Sequence, residues 1–570
     1  MKLSDNAQKA LQCEYPVLVL GGPGSGKTTL SLLKAKKHIS KLSSGQSILF
    51  LSFSRAAVRQ IEIRCRDLLN IDESESVEVR TYHSFALDIL NTHGRLLTGK
   101  TPRIISPNKE AIFKSRHPEL WDKESERLTL EEGNYVFDDL AIAANNLLSR
   151  SEAIAKLIAE KYPVIILDEF QDTDEAQWEL VKTLSRKSCM MFLADSDQRI
   201  FDYNKHVSPE RIYNLRNDIQ PNEFDLGDDN HRSPESGILD YSNALRDNKA
   251  LPDIPEVKNV GYSGTDFEVM VHAGVVWTLC KLHNREIKKP SIAVLGRTNS
   301  IVAKISDCLQ HEHKYKDRSL KPIVHAVLWD SVLTAAASLV VASILEWPVL
   351  SKKDALSQTF KMIAEYFNIK DALKPKGLEY ARKSSEKFLT EIDRLSHNCA
   401  MRYKITKYFE KEYDNDIQFI GDPKEDWKKA RSLLNIKTEK LDLIFNDVKF
   451  VRLFRMSDQI GGCLSDLWDM HGNYAGASRL LRRPLEMQHL QLEDYEPFDC
   501  MLMTVHKAKG KEFDGVVIID GNPRSFDTFF RLKSSPSDRE SSRRLLRVGI
   551  TRARHQVLLL RHHSSPAMID

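Results

Sequence analysis

Between residues 15 and 36 the chain makes a transition that few folds accommodate. Tyr15-Pro16-Val17-Leu18-Val19-Leu20 is a short apolar run suited to a buried parallel strand. It enters Gly21-Gly-Pro-Gly-Ser-Gly26-Lys27-Thr28 and continues as Thr29-Leu-Ser-Leu-Leu-Lys-Ala-Lys with helical spacing. Strand, glycine loop and helix in this order satisfy GxxxxGK(S/T), in which backbone N–H groups turn inward around a phosphate at the positive end of the following helix. Gly21, Gly24, Gly26, Lys27, Thr28 and Thr29 are therefore candidate nucleotide contacts. Lys27 would reach the β- and γ-phosphates of ATP, and the Thr28 hydroxyl would ligate Mg²⁺.

A phosphate loop of this kind needs an acidic strand end further along the chain. Tyr162-Pro163-Val-Ile-Ile-Leu167-Asp168-Glu169 supplies one. Asp168 is placed to hold Mg²⁺, and Glu169 to orient or deprotonate an attacking water. The remaining composition narrows the class further. With 83 Lys and Arg against 80 Asp and Glu, the net charge of +3 excludes a globally basic binder, so nucleic-acid contact must use a local stripe. Eight cysteines, no two closer than 28 residues, give no zinc ribbon or redox pair and suit a reducing cytoplasm. The N-terminus carries no secretory signal. Ser331–Leu345, at 15 residues, is too short for a bilayer and reads as a buried helix stopped by Glu346-Trp347-Pro348. No membrane partner is expected.

Residues 168–173, Asp-Glu-Phe-Gln-Asp-Thr, resemble motif II of the UvrD/Rep/PcrA group of superfamily 1 helicases, and the rest of that series occurs in order. Gln8 in LSDNAQKAL resembles the Q motif. Leu51-Ser-Phe53-Ser54-Arg55-Ala-Ala resembles motif Ia, and Arg80-Thr81-Tyr82-His83-Ser84-Phe85 the T-F-H segment after it. Asp195-Ser-Asp197-Gln198-Arg-Ile-Phe-Asp-Tyr203 is similar to motif III, and Asn230-His231-Arg232-Ser233 to motif IV. Thr504-Val-His506-Lys-Ala-Lys509-Gly510-Lys-Glu512-Phe513 is similar to motif V, and Arg543 to Ala553 to motif VI. The series spans positions 8 to 553.

The resemblance implies roles. Arg232 and Arg552 would approach the γ-phosphate from a second domain, and Gln198 would sense it from the DNA side. Gln8 would read adenine, His231 stack on it and Glu512 touch the ribose. Phe53 and Tyr203 would stack on DNA bases, an interaction worth about 1–3 kcal/mol per base. Arg55 would contact the DNA, and Thr81, His83, Thr504 and His506 would contact the phosphodiester chain or adjust the cleft. The activity implied is an ATP-dependent DNA helicase or translocase acting 3′→5′ on single-stranded and tailed duplex DNA, with DNA repair as a setting. The alternative is a DNA-sensing ATPase subunit, weak as a helicase alone, working beside a nuclease partner, as in anti-phage defence complexes such as Gabija. Three departures stand out. Ala194 replaces the glycine opening motif III, Tyr203-Asn204-Lys205-His206 replaces W-R-G-A without its arginine, and Lys511 replaces an apolar residue in motif V. The G-x-x-P-H segment between motifs V and VI is missing; the Phe- and Ser-rich stretch from Asn522 to Pro536 stands there and reads as a surface loop.

The fold class implied is α/β: two RecA-like P-loop domains with parallel sheets, each carrying a mostly helical insertion. The expected boundaries are 1–94 with 161–224 for the first domain and 95–160 for its insertion. The second domain is expected over 225–348 with 496–570, and its insertion, marked by Lys/Glu-rich amphipathic runs, over 349–495.

Overall fold

The structure, a computed structural model, describes residues 3–105, 110, 121–137, 139–195, 207–227, 231–233, 236–328, 331–372, 378–436, 439–448, 459–482, 485, 499–525 and 527–569. The chain divides into two compact units. The first comprises Met1–Thr101, Asp138–Leu328 and Asp494–Asp570; the second comprises Pro102–Phe137 and Trp329–Glu493.

The first unit holds two six-stranded sheets, all of whose strand pairs are parallel. One is built from β1 (Val17–Leu20), β2 (Ile48–Ser52), β3 (Val77–Thr81), β4 (Val164–Leu167), β5 (Cys189–Ala194) and β6 (Asn222–Asp225), in the order β3-β2-β4-β5-β1-β6. The other is built from β7 (Val257–Tyr262), β8 (Ile292–Gly296), β9 (Ala326–Val327), β10 (Cys500–Thr504), β11 (Phe513–Asp520) and β12 (Ala553–His562), in the order β9-β10-β8-β11-β12-β7. The central strands, such as VLVL, ILFLS, VIIL and IAVLG, are apolar without alternation because both of their faces are covered. This is the two-sheet α/β architecture that the sequence predicts.

Seven helices of this unit position the site: α1 (Lys27–Ile39), α2 (Arg55–Leu68), α3 (Tyr82–His93), α4 (Leu140–Arg150), α5 (Glu175–Ser185), α6 (Arg211–Asp218) and α7 (Pro536–Ile550). The compact units divide the chain elsewhere than the expected boundaries. Residues 138–160, expected within an insertion running from 95 to 160, belong to the first unit because α4 buries Leu140, Ala144, Leu147 and Leu148 in packing against α3 and α5. The longer segment of the second unit likewise starts near 329, where the second insertion is expected from 349. Helix Ser331–Leu345 is apolar all round, so it cannot lie on a sheet with one face wet; it packs instead with helices Lys352–Ala372, Pro423–Ser432 and Glu439–Val448 around one core that includes Trp347, Phe360 and Phe409. Its buried hydroxyls are satisfied locally, Ser338 donating to the Thr334 carbonyl and Ser343 to that of Val340, both at 2.6 Å. Among the described residues no helix is long and apolar enough to cross a membrane.

The stretch after β11 is not a solvated loop. Phe529 and Phe530 are buried in the core of the second sheet. The buried Asp520 carboxylate accepts from the Thr528 hydroxyl and the Phe529 N–H, both at 2.7 Å, and Arg297 donates to the carbonyls of Thr528 (3.0 Å) and Phe529 (2.6 Å). The surface-loop expectation fails because two of its phenylalanines supply core volume, and a carboxylate and a guanidinium satisfy the backbone around them.

Candidate active site

β1 delivers the chain to the glycine loop at the carboxyl end of the first sheet, where open parallel sheets bind ligands. Gly24 (φ +80°) and Gly26 (φ +86°) are both left-handed, and Gly26 is the residue from which α1 starts. Gly21 is required for a different reason: a Cβ there would stand 2.5 Å from the Ser25 hydroxyl. Lys27 Nζ donates to the carbonyls of Gly21 (2.5 Å) and Gly22 (3.0 Å), so its charge is held over the loop. The His231 N–H donates to the Gly24 carbonyl at 2.8 Å, tying the motif IV segment to the same loop.

β4 ends in the carboxylate pair. Glu169 adopts a left-handed backbone (φ +51°), a conformation that costs a non-glycine residue about 1 kcal/mol and recurs at functional sites. A short 3₁₀ turn, Phe170–Asp172, follows. Gln171 donates to the Glu169 carboxylate at 2.6 Å, while its own oxygen accepts from the Asp195 N–H at 3.0 Å. Lys509, from the second sheet domain, pairs with Asp172 and lies 3.5 Å from Glu169. Burial raises the Asp168 pKa and the neighbouring Glu169 charge raises it further. Burial pushes the Glu169 pKa the same way, but Lys509, Lys27 and Arg552 more than offset it and keep this carboxyl below its usual range.

A cavity of about 470 Å³ opens between these groups. The first sheet domain contributes Gly24, Gly26, Lys27, Thr28, Thr29, Asp168 and Glu169 to its wall. His231, Arg232, Glu512, Arg552 and Arg554 also line it. Arg232 donates to the Thr551 carbonyl (2.8 Å) and to Glu512 (2.7 Å). Glu512 also pairs with Arg64 (3.0 Å) and Arg554 (3.3 Å). Burial alone would raise the Glu512 pKa, but Arg232 and Arg64 hold it down to about 2. Burial and the adjacent Arg232 charge push the Arg552 pKa down. Two guanidiniums thus crowd one wall, an arrangement that an anion in the cavity relieves.

The metal expected here fits the residues present. Thr28 and Asp168 both line the cavity and offer only oxygen donors, as Mg²⁺ prefers. Thr28 and Asp168 are two donors, which leaves most of an octahedral shell to other ligands. This matches an ion that keeps waters and phosphate oxygens as its other ligands.

Other expected residues fall outside the cavity. Gln8 does not line it; its side chain donates to the Leu3 carbonyl at 3.1 Å. Phe53 follows β2 and is 37% exposed, open enough to meet a base. Thr81 caps α3, accepting from the Ser84 N–H, and His83 lies in the first turn of that helix. Thr504 is buried at the end of β10, and His506 follows it. Gln198 and Tyr203 lie outside the described residues, as does the side chain of Arg55.

The motifs assign no role to Gln60, Arg64, Lys509 or Arg554. Gln60 and Arg64 of α2 line the cavity with Ala57, Ile61, Asp67 and Leu68. Their spacing over 57, 60, 61, 64, 67 and 68 is one helical face directly behind motif Ia, and that was the available signal. Lys509, inside motif V, carried no signal for its pairing with Asp172.

Comparison with known proteins agrees with this geometry. The UvrD/REP helicase N-terminal domain matches residues 3–125 and 116–220, and the UvrD-like helicase C-terminal domain matches residues 335–564. The chain is 23% identical to the ATP-dependent DNA helicase PcrA of Leuconostoc citreum, over 97% of this chain and 81% of that protein. It is 23% identical to the ATP-dependent DNA helicase Rep of Buchnera aphidicola subsp. Baizongia pistaciae, over 98% and 91%. It is 22% identical to PcrA of Staphylococcus aureus (strain Mu50), over 99% and 83%. With both halves of the helicase core matched and the phosphate loop, carboxylate turn and paired arginines meeting at one cavity, the chain belongs to the UvrD/Rep/PcrA family of helicases.

Proposed function

We propose that this chain is an ATP-dependent DNA helicase whose hydrolysis is stimulated by single-stranded DNA and drives 3′→5′ movement and duplex separation. The observation that carries the reading is the convergence of Lys27, Asp168 and Glu169 from the first sheet domain with Arg232 and Arg552 on one cavity. The relatives' names, ATP-dependent DNA helicases, support the DNA part.

In this reading Lys27 exchanges the carbonyls of Gly21 and Gly22 for phosphate oxygens. Glu169, ionised at neutral pH, orients the attacking water and takes its proton. Arg232 and Arg552 stabilise charge developing on the transferred phosphoryl group, a contribution only realised when the two sheet domains close. Mg²⁺, held by Thr28 and Asp168, would supply further neutralisation at the phosphates. Phe53, at the end of β2, offers an aromatic face to a base, and the single-stranded product suits a stacking track that reads no sequence.

The test measures hydrolysis and unwinding together on 3′-tailed, 5′-tailed, blunt and RNA substrates. Strong stimulation by single-stranded DNA and unwinding of the 3′-tailed duplex are expected, with both lost in Lys27→Ala and Glu169→Gln. A well-folded protein whose hydrolysis ignores DNA would end the motor reading. Unwinding that appears only on adding a nuclease partner would favour the regulatory-subunit reading instead.

A further inference from the structure

Arg211 opens α6, belongs to none of the helicase motifs, and is 1% exposed. A guanidinium that deep loses several kcal/mol of hydration, which only good partners recover. The contacts of its side chain run to Thr173, at the end of the carboxylate turn, and to Glu175 and Trp178 of α5, the helix that follows it. Nε donates to the Thr173 carbonyl at 3.2 Å, and Nη2 donates to the Glu175 carboxylate at 2.8 Å. The guanidinium also lies 5.4 Å from the centre of the Trp178 ring, which is set edge-on to Phe170 at 5.6 Å. Phe170 is the residue after Glu169. A β-bridge between Asp174 and Val207 brings the lead-in to α6 alongside.

Arg211 therefore reaches the turn twice, through the backbone at its end and through two edge-to-face rings at its start. Thr173 closes the loop between these routes, donating from its N–H (3.2 Å) and its hydroxyl (2.8 Å) to the Phe170 carbonyl. On the turn's other side Lys509 pulls on Asp172 and Glu169. The left-handed Glu169 opens this turn and depends on the turn staying where it is.

We propose that Arg211 is a positioning residue for hydrolysis: it fixes the 169–173 turn against the pull of Lys509 and so holds the Glu169 carboxylate in its working orientation. The proposal rests on the reading of Glu169 as the group that orients water. Arg211 does not line the cavity, so its removal should act on turnover and not on nucleotide affinity.

The test is Arg211→Met, which keeps the volume and the contact with Trp178 but cannot donate, and Arg211→Lys, which keeps the charge without the fork. Steady-state hydrolysis is measured with saturating single-stranded DNA, alongside thermal melting and binding of a fluorescent ATP analogue. The expected result for Arg211→Met is a loss of about tenfold or more in kcat, with KM for ATP and analogue affinity within about twofold of wild type. Arg211→Lys should fall between the two. A kcat within about twofold of wild type in folded Arg211→Met overturns the proposal, as does a loss matched by weaker nucleotide binding. If Arg211→Met does not fold, Arg211→Lys decides alone: wild-type kcat overturns the proposal and reduced kcat at unchanged affinity supports it. A wild-type chain with no hydrolysis at all would instead sink the helicase reading itself.

Discussion

His506 shows how strongly a single residue in this site departs from its solution behaviour. Burial, with the nearby charges of Arg297 and Lys509, pushes its pKa down to about 4. The unfolded chain takes up a proton near pH 6.5 while the folded chain does not until about pH 4, so stability is complete above pH 6.5 and falls across that window. The loss should reach about 2 kcal/mol by pH 5. Thermal melts of wild type and His506→Asn at pH 7.5 and pH 5 check this, and the variant should lose less stability over the same interval. The identity of His506 as a candidate was legible from its motif, but its neutrality was not. That follows from Arg297, 209 residues away, whose placement is a product of the sheet. The same holds for Glu512, readable as a motif residue, whose three arginine partners come from α2, motif IV and β12.

Elements were more legible than contacts. Strands β1 and β4 stand out as apolar runs because parallel strands are buried on both faces, and α1 declares itself through the glycines before it. The stretch after β11 did not, because a Phe- and Ser-rich segment with Pro and Asn at its ends has the composition of a loop. What makes it core is Asp520 at the end of β11 and Arg297 beyond β8, which together satisfy its backbone. Phe530→Ala should therefore cost about 3 kcal/mol, the usual price of an emptied aromatic site, where a surface loop would lose almost nothing. Differential scanning calorimetry of the variant should show a lowered melting temperature for the sheet-bearing unit, with the transition of the helical unit unmoved. The extent of the first insertion is not readable from spacing, for a related reason. α4 has the helical spacing of its neighbours, and only its packing against α3 and α5 says which unit it joins.

At the scale of the whole molecule, the cavity is assembled from segments that start near residue 23 and end near 554, so a ligand there bridges nearly the full length of the chain. Binding that favours the folded state stabilises it by mass action, by about 2.7 kcal/mol at a hundredfold excess over Kd. Mg²⁺ with a non-hydrolysable ATP analogue should raise the melting temperature of the sheet-bearing unit in wild type and leave Lys27→Ala unmoved; an equal rise in both would place the nucleotide elsewhere. The motif series was enough to determine the family and the fold class and to pick out the phosphate loop and its carboxylates, because phosphate binding demands a glycine loop, a lysine and carboxylates at the ends of particular strands. Tertiary structure alone decided which of those residues meet, what charge surrounds them and which residues outside the motifs support them. Arg64, Lys509 and Arg211 owe their roles to partners up to 448 positions away, and sequence periodicity reports only on neighbours within a few turns of the same element.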